Sequence, residues 1–332
     1  MKAVTVRMIA PFESIRIEDM PDPTPDRGQV VVDVVAAETN YPDLLVIEGK
    51  YQFKPPLPFS PGKVAAGIIS AIGPEVRGLS VGDRVLSFVE YGAYAEKLKA
   101  RAENCFKIPA QIDFAMAAAL GLTYQTAYFA LKERAGFQPG DVVLVLGASG
   151  GIGVASIQLA KAFSAGKVIA GARGAASAEI ARSVGADEVI DLSLPDLRDI
   201  VKERVANLTG GHGADIVIDP VGGEASAAAM RSLAWKGRMV VVGFASGEIP
   251  TVKANYLLVK NIAVLGLQWS DYRERAPEMI VAAQEEIFTL CVTGKIRPYI
   301  SRRLPFADFK DALSALRNGQ AKGKIILDVR HQ

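Results

Sequence analysis

Glycine stands at positions 147, 150, 151 and 153, directly after the apolar run Val142-Val143-Leu144-Val145-Leu146. Val154 to Lys161 follows with its apolar residues at helical spacing. A strand, a glycine turn and a helix in that order suit the pyrophosphate of a dinucleotide. The glycines permit a tight turn and a close backbone approach, and the helix N-terminus offers free N–H groups and a partial positive charge. The candidate phosphate-binding residues are Ser149, Gly150, Gly151, Ile152 and Gly153; a purely structural glycine turn is the alternative.

The residue about 20 positions past such glycines separates NAD from NADP, because an acid there binds both ribose hydroxyls. Here it is Ala172, and Arg173 follows. No carboxylate at this point of the chain opposes a 2′-phosphate, and a guanidinium is available to bind one. NADPH is therefore the expected cofactor, with Ser177 as a further hydrogen-bonding candidate. The alternative for Arg173 is a solvated loop charge.

These groups need elements to hold them. From residue 123 to 262 strands and helices alternate: 167–172, 187–191, 214–219 and 237–243 read as strands apolar on both faces, the pattern of a buried parallel sheet. Ile262 to Gly266 is expected to close that sheet as a sixth strand. Residues 1–122 read instead as β-rich, with β-branched runs at 29–37 and 66–73, shorter strands at 82–88 and 91–99, and frequent Pro and Gly. The stretch Pro55-Pro56-Leu57-Pro58-Phe59-Ser60-Pro61-Gly62 is too rich in proline for a helix or central strand and reads as a surface loop or the lip of a cleft. Helices are expected over 277–294 and 306–316, and a last strand over 323–329.

Composition narrows the partners. The 332 residues are half hydrophobic with a net charge of +2, which gives no electrostatic reason to expect nucleic acid or an anionic membrane. Two cysteines, Cys105 and Cys291, cannot build a disulfide framework or a Cys-rich zinc site, so a reducing, cytosolic setting is expected. The first residues alternate as a strand and not as a signal peptide, and no apolar run is read as approaching the roughly 20 residues of a membrane span. The two histidines, His212 in a glycine-rich turn and His331 near the C-terminus, read as solvated residues.

Several stretches carry a resemblance: Asn40-Tyr41-Pro42-Asp43, Glu48-Gly49-Lys50-Tyr51, Pro61-Gly62 with Ala65-Ala66-Gly67, Val81-Gly82-Asp83-Arg84-Val85 and Gly92-Ala93-Tyr94-Ala95-Glu96. Together they resemble the zinc-independent NADPH:quinone oxidoreductases of the medium-chain dehydrogenase/reductase superfamily, over nearly the whole chain. The resemblance implies a Rossmann doubly wound parallel sheet inserted into a β-rich GroES-like catalytic domain. The catalytic domain would span 1–122 and 263–332, and the NADPH-binding domain 123–262. It also implies that Thr126, Gly243, Phe244, Leu265 and Gly266 approach the cofactor, that Lys324 marks its entrance or is simply a strand-edge lysine, and that the chain is a homodimer paired through its sixth strand.

At the three positions where zinc relatives place Cys, His and Cys, this chain has Asn40, Lys63 and Leu122, so no metal is expected. Val64 stands where relatives carry Glu, and Leu192 near a Tyr of relatives. A metal-free nicotinamide site suits an acceptor that is already electrophilic, a quinone or, alternatively, an enoyl thioester or other α,β-unsaturated carbonyl. Tyr51 matches the Gly-x-Tyr proton donor of enoyl thioester reductases; Asn40 and Tyr41 are candidate acceptor-orienting groups, and Lys63 a group at the mouth. For Tyr51 the alternative is packing on Pro55 and Pro56. Two other readings compete. Gly147, Gly151 and Gly153 with Tyr256 and Lys260 fit short-chain dehydrogenases, but a long β-rich stretch precedes the turn here. A crystallin-like protein that keeps the fold without the enzyme, for structure or RNA binding, would need a lost cleft or a basic stripe.

Overall fold

The computed structural model describes residues 1–330; His331 falls outside them. The strands run in chain order as β1 (Lys2–Thr5), β2 (Arg16–Asp19), β3 (Gln29–Glu38), β4 (Val64–Ile72), β5 (Arg84–Phe88), β6 (Lys97–Arg101) and β7 (Cys105–Lys107). There follow β8 (Val142–Leu146), β9 (Lys167–Ala172), β10 (Glu188–Asp191), β11 (Ala214–Asp219), β12 (Leu233–Val241) and β13 (Ala263–Gly266), and finally β14 (Ile300–Pro305) and β15 (Lys324–Asp328). They sort into two compact units. One comprises Met1–Leu122, Pro277–Phe288 and the chain from Ile300; the other comprises Thr123–Ala276 and Thr289–Tyr299.

The first unit is built on a sheet ordered β14-β15-β3-β4-β5-β7, with β6 also on β3. All its pairings are antiparallel except β14 with β15. Alternation in β3 sends Val30, Val32 and Val34 into the core, where they meet Val4, Phe12, Phe59, Leu98 and Leu313. Gly67 in β4 is needed because a Cβ there would lie 2.1 Å from the Asp33 carbonyl oxygen of β3. Strands β2, β7 and β14 lack a hydrophobic run long enough to stand out in sequence; pairing with neighbours makes them.

The second unit is a six-stranded sheet ordered β10-β9-β8-β11-β12-β13, parallel throughout. Counted from β8 that is 3-2-1-4-5-6, the Rossmann order. Strands β8, β9 and β11 are almost wholly buried, as their unbroken apolar runs require. The sheet extends through β13 to Gly266, so it passes the boundary expected at 262.

The membrane expectation needs correcting. Phe114–Arg134 is helical, 21 residues long and apolar enough by length and composition to cross a bilayer. Its Ala-rich composition hid it, since small residues lift hydropathy without a Leu/Ile run. In the fold 89% of the apolar window is buried in protein, which makes it a core helix.

Candidate active site

In the second unit the glycine turn leaves β8 at Leu146. Gly147 has φ +60°, and Gly150 donates its N–H back to the Gly147 carbonyl at 2.9 Å. The helix Gly151–Ala162 starts there, and its first intrahelical bond runs from Val154 N–H to Gly150. The N–H groups of Gly151, Ile152 and Gly153 thus have no acceptor within the helix. A Cβ on Gly153 would lie 2.3 Å from the Gly147 oxygen, so only glycine lets the helix begin so close to the turn.

Two further loops meet this turn. After β11, Asp219 Oδ1 accepts from Val221 N–H and Gly222 N–H, both at 2.9 Å, and the Val221 side chain reaches 3.0 Å from a Cβ built on Gly147. After β12, Gly243 is followed by Phe244, whose ring lies 3.2 Å from a Cβ built on Gly222. The carboxyl ends of β8, β11 and β12 therefore form one rim, where ligands of open α/β sheets bind. Leu265 and Gly266 end β13 beside β12. Thr126 is buried within the helix Leu122–Phe129.

Ala172 ends β9, and Arg173 follows as an exposed residue with no ion-pair partner among the described residues. Its surroundings differ from the sequence reading in one respect. Asp191, at the end of neighbouring β10, pairs with Ala172, and its Oδ1 accepts from Gly174 N–H at 3.1 Å. A carboxylate absent from this point of the chain is thus brought beside it by the parallel register. Hydrogen bonds, chiefly from the Ser193 backbone N–H, hold Asp191 below the usual carboxylate pKa, so it stays charged. Ser177 is buried at the start of the helix Gly174–Ser183. Leu192 turns into the core against Gly171.

In the first unit β3 delivers Glu38, Thr39 and Asn40 in succession, and the helix Tyr41–Ile47 begins at once. Asp43 Oδ2 accepts the Asn40 N–H at 2.8 Å and the Tyr94 hydroxyl at 2.7 Å, which ties the start of that helix. Asp43 Oδ1 is buried with no hydrogen-bond partner among the described residues. Burial pushes the Asp43 carboxyl up to about 6, against the pull of the Tyr94 bond. Burial also raises Tyr94 well above its ordinary value, so it remains a neutral donor.

Beside this helix start, Lys324 enters from β15. Its Nζ lies 2.8 Å from Glu38 Oε1, 2.9 Å from the Thr39 carbonyl and 2.8 Å from Asn40 Oδ1. All three ammonium hydrogens are engaged, so a role at a cofactor entrance would require giving one up. Asn40 Nδ2 donates to Glu38 Oε2 at 3.1 Å. Lys63 is nearly buried, 2.7 Å from Glu90 and 4.6 Å from the centre of the Tyr51 ring. Tyr51 itself is half-buried, and its hydroxyl has no hydrogen-bond partner among the described residues. Phe53 stacks on Tyr91 next to it. Tyr41 is 37% exposed, whereas Asn40 is buried; the two neighbours are not presented alike.

Residues 26–110 match the alcohol dehydrogenase GroES-like domain, and residues 151–285 match the zinc-binding dehydrogenase family. A quinone oxidoreductase-like protein 2 homolog of Nematostella vectensis is 38% identical over 91% of this chain and 82% of its own. The quinone oxidoreductase of Escherichia coli, solved in complex with NADPH, superposes with a TM-score of 0.90 at 28% identity over 99% of this chain and 100% of its own. A mycobacterial protein, also solved with NADPH, gives 0.92 at 30% identity over 99% and 100%. The chain belongs to the quinone oxidoreductase family of medium-chain dehydrogenase/reductases.

One matched family is described as zinc-binding, and this quinone oxidoreductase relative does not fit that metal. Asn40 has its oxygen on an ammonium, Lys63 is itself a cation, and Leu122 offers only its backbone N–H, which goes to Glu38. Two ammonium groups would repel Zn2+ where thiolate or imidazole should bind it. Val64 is buried at the start of β4 against Gly121. No group of three or more His, Cys, Asp and Glu suited to a metal occurs among the described residues. His212 is exposed and bonded to Asp215. Sequence reasoning passed over Glu38, Asp191 and the carboxylate roles of Asp43 and Asp219. For Asp219 the signal was present, an Asp-Pro-x-Gly-Gly turn in which Asp binds the following backbone. Glu38 gave none beyond a charge ending an apolar strand.

Proposed function

We propose that the chain is an NADPH-dependent reductase that passes hydride to a quinone without a metal. The observation that carries it is the set Asn40, Lys63 and Leu122, with its bound ammonium groups, in a family whose NADPH-bound members share this fold. Without a Lewis acid to polarise an alcohol or simple carbonyl, the site suits an acceptor that is already electrophilic. Bound NADPH supplies the hydride. The free N–H groups at Gly151 to Gly153 hold its pyrophosphate and Arg173 its 2′-phosphate. Asn40 keeps one Nδ2 hydrogen for an acceptor oxygen as that oxygen gains charge, and a proton from water completes the hydroquinone. The rings of Tyr51, Phe53 and Tyr91 offer a planar acceptor apolar, stackable surface.

A second reading is reduction of enoyl thioesters, favoured by the unpartnered Tyr51 hydroxyl, which could protonate the product carbon. NADPH oxidation over a quinone panel and an enoyl thioester panel tests both. Turnover of neither, with NADPH bound tightly, overturns the proposal. Tyr51→Phe separates the readings: enoyl reduction should fall about 100-fold or more while quinone reduction stays within about threefold. Equal losses would remove the split role. The exposed edge strand β13 supports a homodimer, and two cysteines without a disulfide support the cytosol.

A further inference from the structure

Glu38 is wholly buried at the end of β3, and neither its type nor its place follows from the strand pattern. A carboxylate there tolerates only donors around it. It has them: Lys324 Nζ on Oε1 at 2.8 Å, and Asn40 Nδ2 at 3.1 Å and Leu122 N–H at 3.2 Å on Oε2. Lys324, in turn, can only donate, and it donates to Asn40 Oδ1. The Asn40 amide is thus held between a group that only accepts and a group that only donates. Turning it over would set its oxygen against the carboxylate and its nitrogen against the ammonium, both buried. One Nδ2 hydrogen is left over.

We propose that Glu38 is a positioning residue: with Lys324 it locks the Asn40 amide in one orientation, so that the remaining Nδ2 hydrogen is a fixed donor for the acceptor's carbonyl oxygen. This deepens the reading of Asn40 given above and rests on it. A donor that needs no reorganisation as charge develops is worth more than a rotatable one. Gly121 belongs to the same device, since a Cβ there would lie 3.3 Å from Glu38 Oε2 and 2.6 Å from the Val64 side chain.

The test exchanges the two groups. Glu38→Gln has one oxygen for donors on both sides, so its amide nitrogen must face either the Lys324 ammonium or the Asn40 amide nitrogen and Leu122 N–H, and the lock opens. The double variant Glu38→Gln/Asn40→Asp restores an amide facing a carboxylate with Lys324 between them, at the cost of the longer Leu122 bond. It carries no donor for the acceptor. Expected for Glu38→Gln is an acceptor KM raised about tenfold with NADPH affinity unchanged, the worth of one hydrogen bond. The double variant should regain the Tm and keep the raised KM; it also serves where Glu38→Gln alone does not fold. Protein labelled with 15N-asparagine should show slowly exchanging, separate Asn40 side-chain protons that exchange rapidly in Glu38→Gln. Glu38→Gln with a lowered Tm and an unchanged KM, or a double variant that regains KM along with Tm, overturns the proposal. If wild-type protein reduces no acceptor, the functional reading fails instead, and the asparagine signals still decide whether the lock exists.

Discussion

On the function proposed above, single charges at the ends of β9 and β10 decide which dinucleotide the chain prefers. Arg173 is exposed with no ion-pair partner among the described residues, while Asp191 is held charged by backbone donors one strand away. Losing a charge-assisted bond to a 2′-phosphate costs about 1.5–3 kcal/mol. Arg173→Ala should therefore weaken NADPH binding about 10- to 100-fold and leave NADH unchanged in a fluorescence titration; equal losses for both would deny Arg173 that role. On the same reading Asp191, which accepts the Gly174 N–H just past Arg173, opposes that phosphate. Asp191→Asn keeps the carbonyl acceptor for Gly174 and Ser193 and removes the charge, so NADPH affinity should rise a few-fold with NADH unaltered. An unchanged ratio of the two affinities would place Asp191 outside the phosphate's reach.

At the scale of an element, the helix Tyr41–Ile47 starts on a carboxyl that the fold prefers to protonate. Burial raises Asp43 from 3.8 to about 6. The proton is bound more tightly in the folded chain, so this group's contribution is complete below about pH 4 and lost as pH rises through 6. The loss amounts to about 2 kcal/mol between about pH 4 and pH 8. Asp43→Asn retains an acceptor for Asn40 N–H and Tyr94 and cannot ionise. Denaturant melts over that range should show a flatter pH dependence in the variant and a stability at pH 8 at or above that of wild type. Parallel curves for the two proteins would show that Asp43 does not titrate in this range. The glycine turn makes the complementary point: the helix Gly151–Ala162 begins with free N–H groups so close to the turn only because Gly153 admits the Gly147 carbonyl against its backbone.

At the scale of the whole molecule, each unit has its own core, and the parallel sheet ends in an open edge at β13. The helix that leads into that strand, Ala254–Lys260, buries none of its residues and exposes Leu258 and Val259 at 77% and 72%. Two adjacent aliphatic residues bared beside an unpaired edge suit the homodimer proposed above. If the chain pairs through this edge as proposed above, Leu258→Asp should shift it from dimer to monomer in sedimentation experiments with little change in Tm of the remaining fold. A wild-type chain that sediments as a monomer would overturn the dimer.

The sequence by itself determined what depends on neighbours along the chain. Unbroken apolar runs marked the parallel strands, β3 and β4 were legible from their β-branched residues, and the glycine turn was readable because strand, turn and helix are contiguous. The motifs around Asn40, Gly62 and Gly82 identified the family for the same reason. What only the tertiary structure decided depends on groups far apart in the chain. Asp191 reaches Gly174 through a parallel register, and Lys324 comes to Asn40 across 284 positions. The meaning of Lys324 changed accordingly, from an edge lysine or cofactor contact to one with every hydrogen engaged. Glu38 remained illegible because a buried charge announces itself only through the donors that converge on it, and no spacing rule records that convergence.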